Sequence, residues 1–349
     1  MLKLKKEVVE KIRGITNVVE LHHYLQSAIE LEHATIPVYL TGLFSLKQAQ
    51  NVEAGNLVRS VVIEEMLHMS IACNVLNAIG GQPQINKPGF VPTFPGPLPM
   101  GVGEDRGLIA TLAPLTKEQV KTVFMAIEEP ANPIDIPVEK LMLAADPSYT
   151  TIGEFYQAII DKIQQLGDGI FTGDPSRQLA DTKWFPSNEL WAVTDVESAC
   201  SALQLIVDQG EGSSKSPVDE EGELAHYYRF AEIYYGKRLV RDAGSPVGWS
   251  FSGAPVPLNP DDVYNLKPSA KAEDYPAGSV ARRYADQTNY TYSSLLNSLH
   301  HTFNGEPQQL DHAMGLMYEL RLSVQKMVTI DLGNGVYAAP PFQYVATNV

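Results

Sequence analysis

The fold is read from Val61-Val-Ile-Glu-Glu-Met-Leu-His-Met-Ser-Ile-Ala72. Val58, Val61, Met69, Ala72 and Leu76 recur at helical spacing, and Glu65 and His68 fall within the same apolar stripe. Three residues apart on a helix, a carboxylate and an imidazole share one face and can reach one metal ion. An unpaired buried carboxylate costs several kcal/mol, so something must neutralise it. A metal ion is one answer and a salt bridge is another.

Working outward, the Glu-x-x-His spacing recurs. With 24 Glu and 8 His in the chain, chance gives about 0.5 such pairs. Four occur: Glu20/His23, Glu30/His33, Glu65/His68 and Glu223/His226. Glu223 and His226 share a stripe with Phe230 and Ile233, so they too are expected to point inward. In the preceding helix, Glu32 continues the line Leu25, Ala28, Ile36, Tyr39. Glu30 lies roughly 200° from that line by helical geometry. Glu20/His23 and Glu30/His33 therefore read as surface pairs or as groups supporting the ligands.

Carboxylate bundles that hold two metals take one Glu from each of two helices and a Glu-x-x-His from each of two others. Glu32 fills one single-Glu position; Glu65/His68 and Glu223/His226 fill the paired ones. Two residues compete for the remaining position. Glu154 closes a Thr151-x-x-Glu capping box at a helix start and lies off the Ile152, Phe155, Ile159, Ile163 stripe. Glu211 lies between two glycines in Gln209-Gly-Glu-Gly212. The expected centre is thus Glu32, Glu65, His68, Glu223 and His226 with Glu154 or Glu211. It would hold two metal ions; carboxylate and imidazole suit iron or manganese. Haem is the lesser alternative. A helix kink at Pro37, near Glu32, would open a pocket there, and Tyr39, Tyr227 and Tyr228 are candidate walls.

Elsewhere the pattern is mainly α. Helices are expected over about Val18 to Leu46, Val52 to Ile79, Thr116 to Glu128, Thr151 to Leu166, Asp195 to Gln209, Asp219 to Gly236, Ser279 to Phe303 and Glu306 to Leu332. The stretch from Lys87 to Leu115 is too rich in proline and glycine for helix. The organisation expected is a metal-binding bundle over 1–240, with an insertion at about 81–194. Residues 241–349 then form an extension with two further helices, packed on the bundle.

The 349 residues are 44% hydrophobic and 19% charged, ordinary globular composition. A net charge of −15 argues against nucleic acid, which needs a basic face. Cys73 and Cys200 sit in apolar helical patterns and make no Cys-x-x-Cys. The charged start, Met1 to Arg13, has no signal-peptide pattern, and no stretch has the apolar length of a membrane span. A cytoplasmic protein is expected, with no membrane partner and with homo-oligomer formation open.

Several segments together resemble one known family. They are Ala28-Ile-Glu-Leu-Glu-His-Ala-Thr-Ile-Pro-Val-Tyr-Leu40, Glu64-Glu-Met-Leu-His68, Thr151-Ile-Gly-Glu-Phe-Tyr156, Gln209-Gly-Glu-Gly212 and Glu223-Leu-Ala-His-Tyr-Tyr-Arg-Phe230. They resemble the ferritin-like family of iminophenylpyruvate dimer synthase, which includes the violacein-pathway enzyme and chromopyrrolic acid synthase. The likeness runs roughly from residue 15 to 345. The pathway enzymes are longer, and this chain matches their ferritin-like part. The resemblance implies a ferritin-like bundle and oxidative chemistry on a small amino-acid-derived molecule in secondary metabolism; some members carry haem. The function expected is therefore a di-iron oxidoreductase using O₂ or peroxide on a small-molecule substrate. Its rivals are a ferroxidase or iron-handling protein without organic substrate, and a metal-free helical scaffold.

Overall fold

The computed structural model describes residues 3–130, 148–180, 182–211, 216–219 and 222–346. Two long helices make its centre, α2 (Val18–Phe44) and α3 (Val52–Ala78), packed along each other. Asn17 starts α2 by accepting the Glu20 N–H at 3.2 Å. The helix remains one element across Pro37. Gly80 ends α3 at a φ of +83°, the left-handed conformation that glycine adopts without steric cost after a helix.

The other half of the bundle is α6 (Ile152–Leu166) on α7 (Val196–Glu211), with α8 (His226–Tyr235) against α3. Before α6, α1 (Lys6–Gly14) lies beside it, and β1 (Lys3–Lys5) pairs antiparallel with β2 (Tyr149–Thr151). The segment after Thr116 is helical in three abutting pieces: α4 (Lys117–Gln119), a π-helical turn over Val120–Phe124, and α5 (Met125–Ile127). In that turn the Met125 N–H reaches back five residues to the Val120 carbonyl.

The chain closes with α9 (Val280–Thr302) and α10 (Leu310–Met327), packed on each other. They are tied to the central pair by Tyr292 meeting His33 and by Asn77 donating to the Phe303 carbonyl. One continuous apolar core runs from Leu4 to Phe342. The fold is mainly α, and no described helix is long and apolar enough to cross a membrane. Cys73 is buried and Cys200 partly so; both are free thiols.

Two helix boundaries differ from the expected ones, each for a local reason. Helix α8 begins at His226, not near Asp219. Before it, Asp219 N–H bonds the Glu223 carbonyl at 2.9 Å and Gly222 takes a φ of +89°, so the chain turns back on itself. Helix α10 ends at Met327, and the residues expected to continue it lead instead into a small hairpin between β5 (Asp331–Gly333) and β6 (Val336–Tyr337), turned by Asn334 and Gly335 at φ +55° and +73°. Asn-Gly is the preferred pair for such a turn.

Candidate metal centre

Five side chains converge inside the bundle: Glu32 from α2, Glu65 and His68 from α3, Glu128 just past α5, and His226 at the first turn of α8. They form two groups, Glu32–Glu65–His68 and Glu65–Glu128–His226, each with one ligand-type atom per residue lying within 4.8 Å of the others. Glu65 belongs to both. The Nδ1 of His68 is 3.6 Å from Glu32 Oε2; that of His226 is 2.9 Å from Glu65 Oε1 and 3.5 Å from Glu128 Oε2.

Both imidazoles are held by their outer edges. His68 Nε2 meets Gln209 Oε1 at 2.9 Å, and His226 Nε2 meets Glu64 Oε2 at 3.0 Å. Glu64 is itself bonded by Arg229, whose guanidinium also reaches Ser60. An acceptor at Nε2 fixes the proton there and turns the Nδ1 lone pair inward, the arrangement by which partners behind a ligand orient it.

The carboxylates are fixed likewise. Tyr156 donates its hydroxyl to Glu32 Oε1, and Tyr39 donates to Glu128 Oε1. In each case the other oxygen faces an imidazole Nδ1. The Thr35 hydroxyl lies 2.8 Å from Glu65 Oε2. Burial pushes both phenols well above their ordinary range, so they remain donors.

Three carboxylates this close, with Glu65 3% exposed and His226 fully enclosed, require positive charge. Burial, then Glu128 and Glu32, push the Glu65 carboxyl up to about 7, against the opposing pull of His226. His226 is raised well above its usual value: burial opposes this, but Glu128, Glu64 and Glu65 outweigh it. His68 is raised as Glu32 and Glu65 overcome burial. His226 Nδ1 faces Glu65 Oε1 at 2.9 Å and Glu128 Oε2 at 3.5 Å without a well-formed hydrogen bond to either. A buried imidazole nitrogen facing two carboxylate oxygens fits a metal ion, and an oxygen and nitrogen donor set suits iron or manganese.

Of the residues expected from sequence, the structure brings together Glu32, Glu65, His68 and His226. Glu223 is placed elsewhere. It is exposed, and its N–H bonds Asp219 Oδ1 in the turn before α8, so the three-residue spacing to His226 does not give a shared helical face. Glu154 is also placed elsewhere: it is exposed and completes the capping box of α6 with Thr151. The side chain of Glu211 lies outside the described residues. Glu128 stands where the further carboxylate was sought. In the sequence Glu128 reads only as the last residue of the expected Thr116–Glu128 helix, although Val120, Phe124 and Glu128 are spaced four apart. His33, expected near the surface or behind the ligands, is buried and meets the Tyr292 hydroxyl at 2.7 Å.

A cavity of about 60 Å³ opens onto Glu32, Glu65, His68 and Glu128, walled by Leu31, Ile127, Ile152 and Ile206. Among the described residues it has room for a few waters or a diatomic molecule.

A helical bundle with shared buried carboxylates and inward imidazoles carries a donor set of the kind found in bundles that hold metal. Residues 25–235 match the family model described as Ferritin-like, and the chain belongs to that family. The crystal structure of a ferritin-like protein from Caulobacter vibrioides resembles it with a TM-score of 0.64 at 24% identity, over 95% of this chain and 99% of that one. That likeness concerns the fold. No curated protein matches the sequence.

Proposed function

We propose that the chain is a metal-dependent oxidoreductase that binds two iron or manganese ions, one in each carboxylate–imidazole group. Glu65, a member of both groups, would contribute to holding each ion. The observation that carries this reading is the membership of Glu65 in both groups, with an imidazole and a further carboxylate on either side. When bound, such a metal pair supplies electron transfer to O₂ or peroxide.

The chain's own residues would then do four things. Gln209 and Glu64 keep each imidazole in its metal-binding tautomer. Tyr156 and Tyr39 each donate to one oxygen of a flanking carboxylate and so orient Glu32 and Glu128, which would help hold the metal. Leu31, Ile127, Ile152 and Ile206 give the cavity apolar walls. Glu65 and the imidazoles surrender protons as metal enters.

The resemblance to the iminophenylpyruvate dimer synthase family favours a small amino-acid-derived substrate. A second reading, iron oxidation without an organic substrate, is favoured by the cavity, since about 60 Å³ suits an oxidant better than an amino acid. The test is elemental analysis followed by oxygen-electrode assays. The proposal expects about two metals per chain and oxygen uptake that rises with aromatic amino acids or their 2-oxo acids. Uptake driven by ferrous iron alone selects the second reading. Haem absorption without other metal overturns both.

A further inference from the structure

On another face of the central helices lies a larger cavity that the metal centre does not use. It spans about 760 Å³ between the end of α2, the start of α3 and α10, a size typical of organic ligands. Its floor includes Val62, Leu320 and Val328, each 3% exposed or less. One wall is Trp184, whose indole N–H is pinned by Asp311 at 2.9 Å. The same carboxylate is neutralised by Lys183.

The charge on this cavity runs against the rest of the chain. Acids outnumber bases 41 to 26 overall, yet among the described residues the lining contains Lys47, Arg59 and Arg321 and no Asp or Glu. Among the described residues neither arginine has a carboxylate partner; Arg59 is steadied by Asn56 Oδ1 at 2.9 Å. Unneutralised guanidiniums beside an apolar floor match a ligand with one acidic end, because guanidinium recognises carboxylate with paired, charge-assisted hydrogen bonds.

We propose that this cavity binds an organic carboxylic acid, its apolar body on the Val62–Leu320 floor and its carboxylate at Arg59 and Arg321. The proposal does not depend on the metal centre. Calorimetric titration of the full chain with dodecanoate, 2-naphthoate, 1-dodecanol and dodecyltrimethylammonium tests it. At least one acid should bind, more tightly than the alcohol or the ammonium, and which acid binds tells an aliphatic from an aromatic source. Arg59→Gln/Arg321→Gln should weaken the acid by about tenfold or more while leaving weak alcohol binding, circular dichroism and metal content unchanged. Val62→Trp should abolish binding of every probe by filling the floor. Failure of both acids to bind overturns the proposal, as does equal binding of acid, alcohol and ammonium. So does a wild-type dimer, by sedimentation, that Val62→Trp dissociates, since a second copy would then cover the cavity.

Discussion

Glu64 and Glu65, neighbours in sequence, hold opposite edges of one imidazole: Glu64 Oε2 lies 3.0 Å from His226 Nε2, and Glu65 Oε1 lies 2.9 Å from its Nδ1. Consecutive helical residues point about 100° apart, so the ring of α8 sits across the ridge of α3 and is clasped from both sides. One carboxylate faces the candidate metal; the other, backed by Arg229, faces outward.

Removing the outer clasp should therefore loosen metal without removing a ligand. Glu64→Gln is expected to lower metal affinity about tenfold and Glu64→Ala further, the usual range for partners behind a metal-bound histidine. Competition against a chelator measures it. Unchanged affinity in Glu64→Ala would show that the ring needs no such support.

Metal binding should release protons. The Glu65 carboxyl stands at about 7 and both imidazoles are raised above their ordinary value, so protonation of these groups competes with metal. Apparent affinity should fall as pH drops below 7, by about tenfold per pH unit for each proton released. Calorimetry at pH 6.5 in buffers of different ionisation heat counts those protons. Identical heats in all buffers would reject the linkage.

The ligand set can be tested by substitution. Glu128→Gln should lose metal, whereas Glu154→Gln and Glu223→Gln should keep it. Glu154→Ala should cost about 1 kcal/mol of stability through its cap alone. Retained metal in Glu128→Gln together with loss in Glu223→Gln would restore the paired-motif reading. Glu211→Gln would decide whether a sixth ligand joins the set.

His33 should contribute an acid-sensitive share of stability. Burial holds its imidazole down at about 3, against an ordinary 6.5. Between those values the unfolded chain binds a proton that the folded chain does not, so this share is complete above 6.5 and is lost as pH falls towards 3. Urea midpoints at pH 7 and pH 5 should differ in a way that His33→Phe reduces. Equal differences in both proteins would mean that His33 is solvated.

The helices are legible where one face is apolar, as in the Val58–Leu76 stripe, and where a capping box marks the start, as at Thr151. The site was legible where both members of a motif lie inside one long helix, as Glu65 and His68 do. At Glu223 the spacing does not give a shared face, because that requires the helix to exist already, and Gly222 and the Asp219 turn delay it to His226. Glu128 is obscured because it reads as the end of the Thr116–Glu128 helix. The supports Gln209, Tyr156 and Glu64 are set by tertiary approach between distant elements, and local periodicity carries no trace of it.

The π turn at Val120–Phe124 acts as an angular offset. Each residue advances a helix by about 100°, so one extra residue within a turn rotates everything after it, and Glu128 is the first chemically important group beyond. Deleting a single residue from this turn would leave composition, charge and apolar content almost untouched, yet would aim that carboxylate roughly a quarter-turn away from His226. Insertions and deletions here are thus a separate route by which relatives with this fold can gain or lose a ligand without any substitution at the ligand itself.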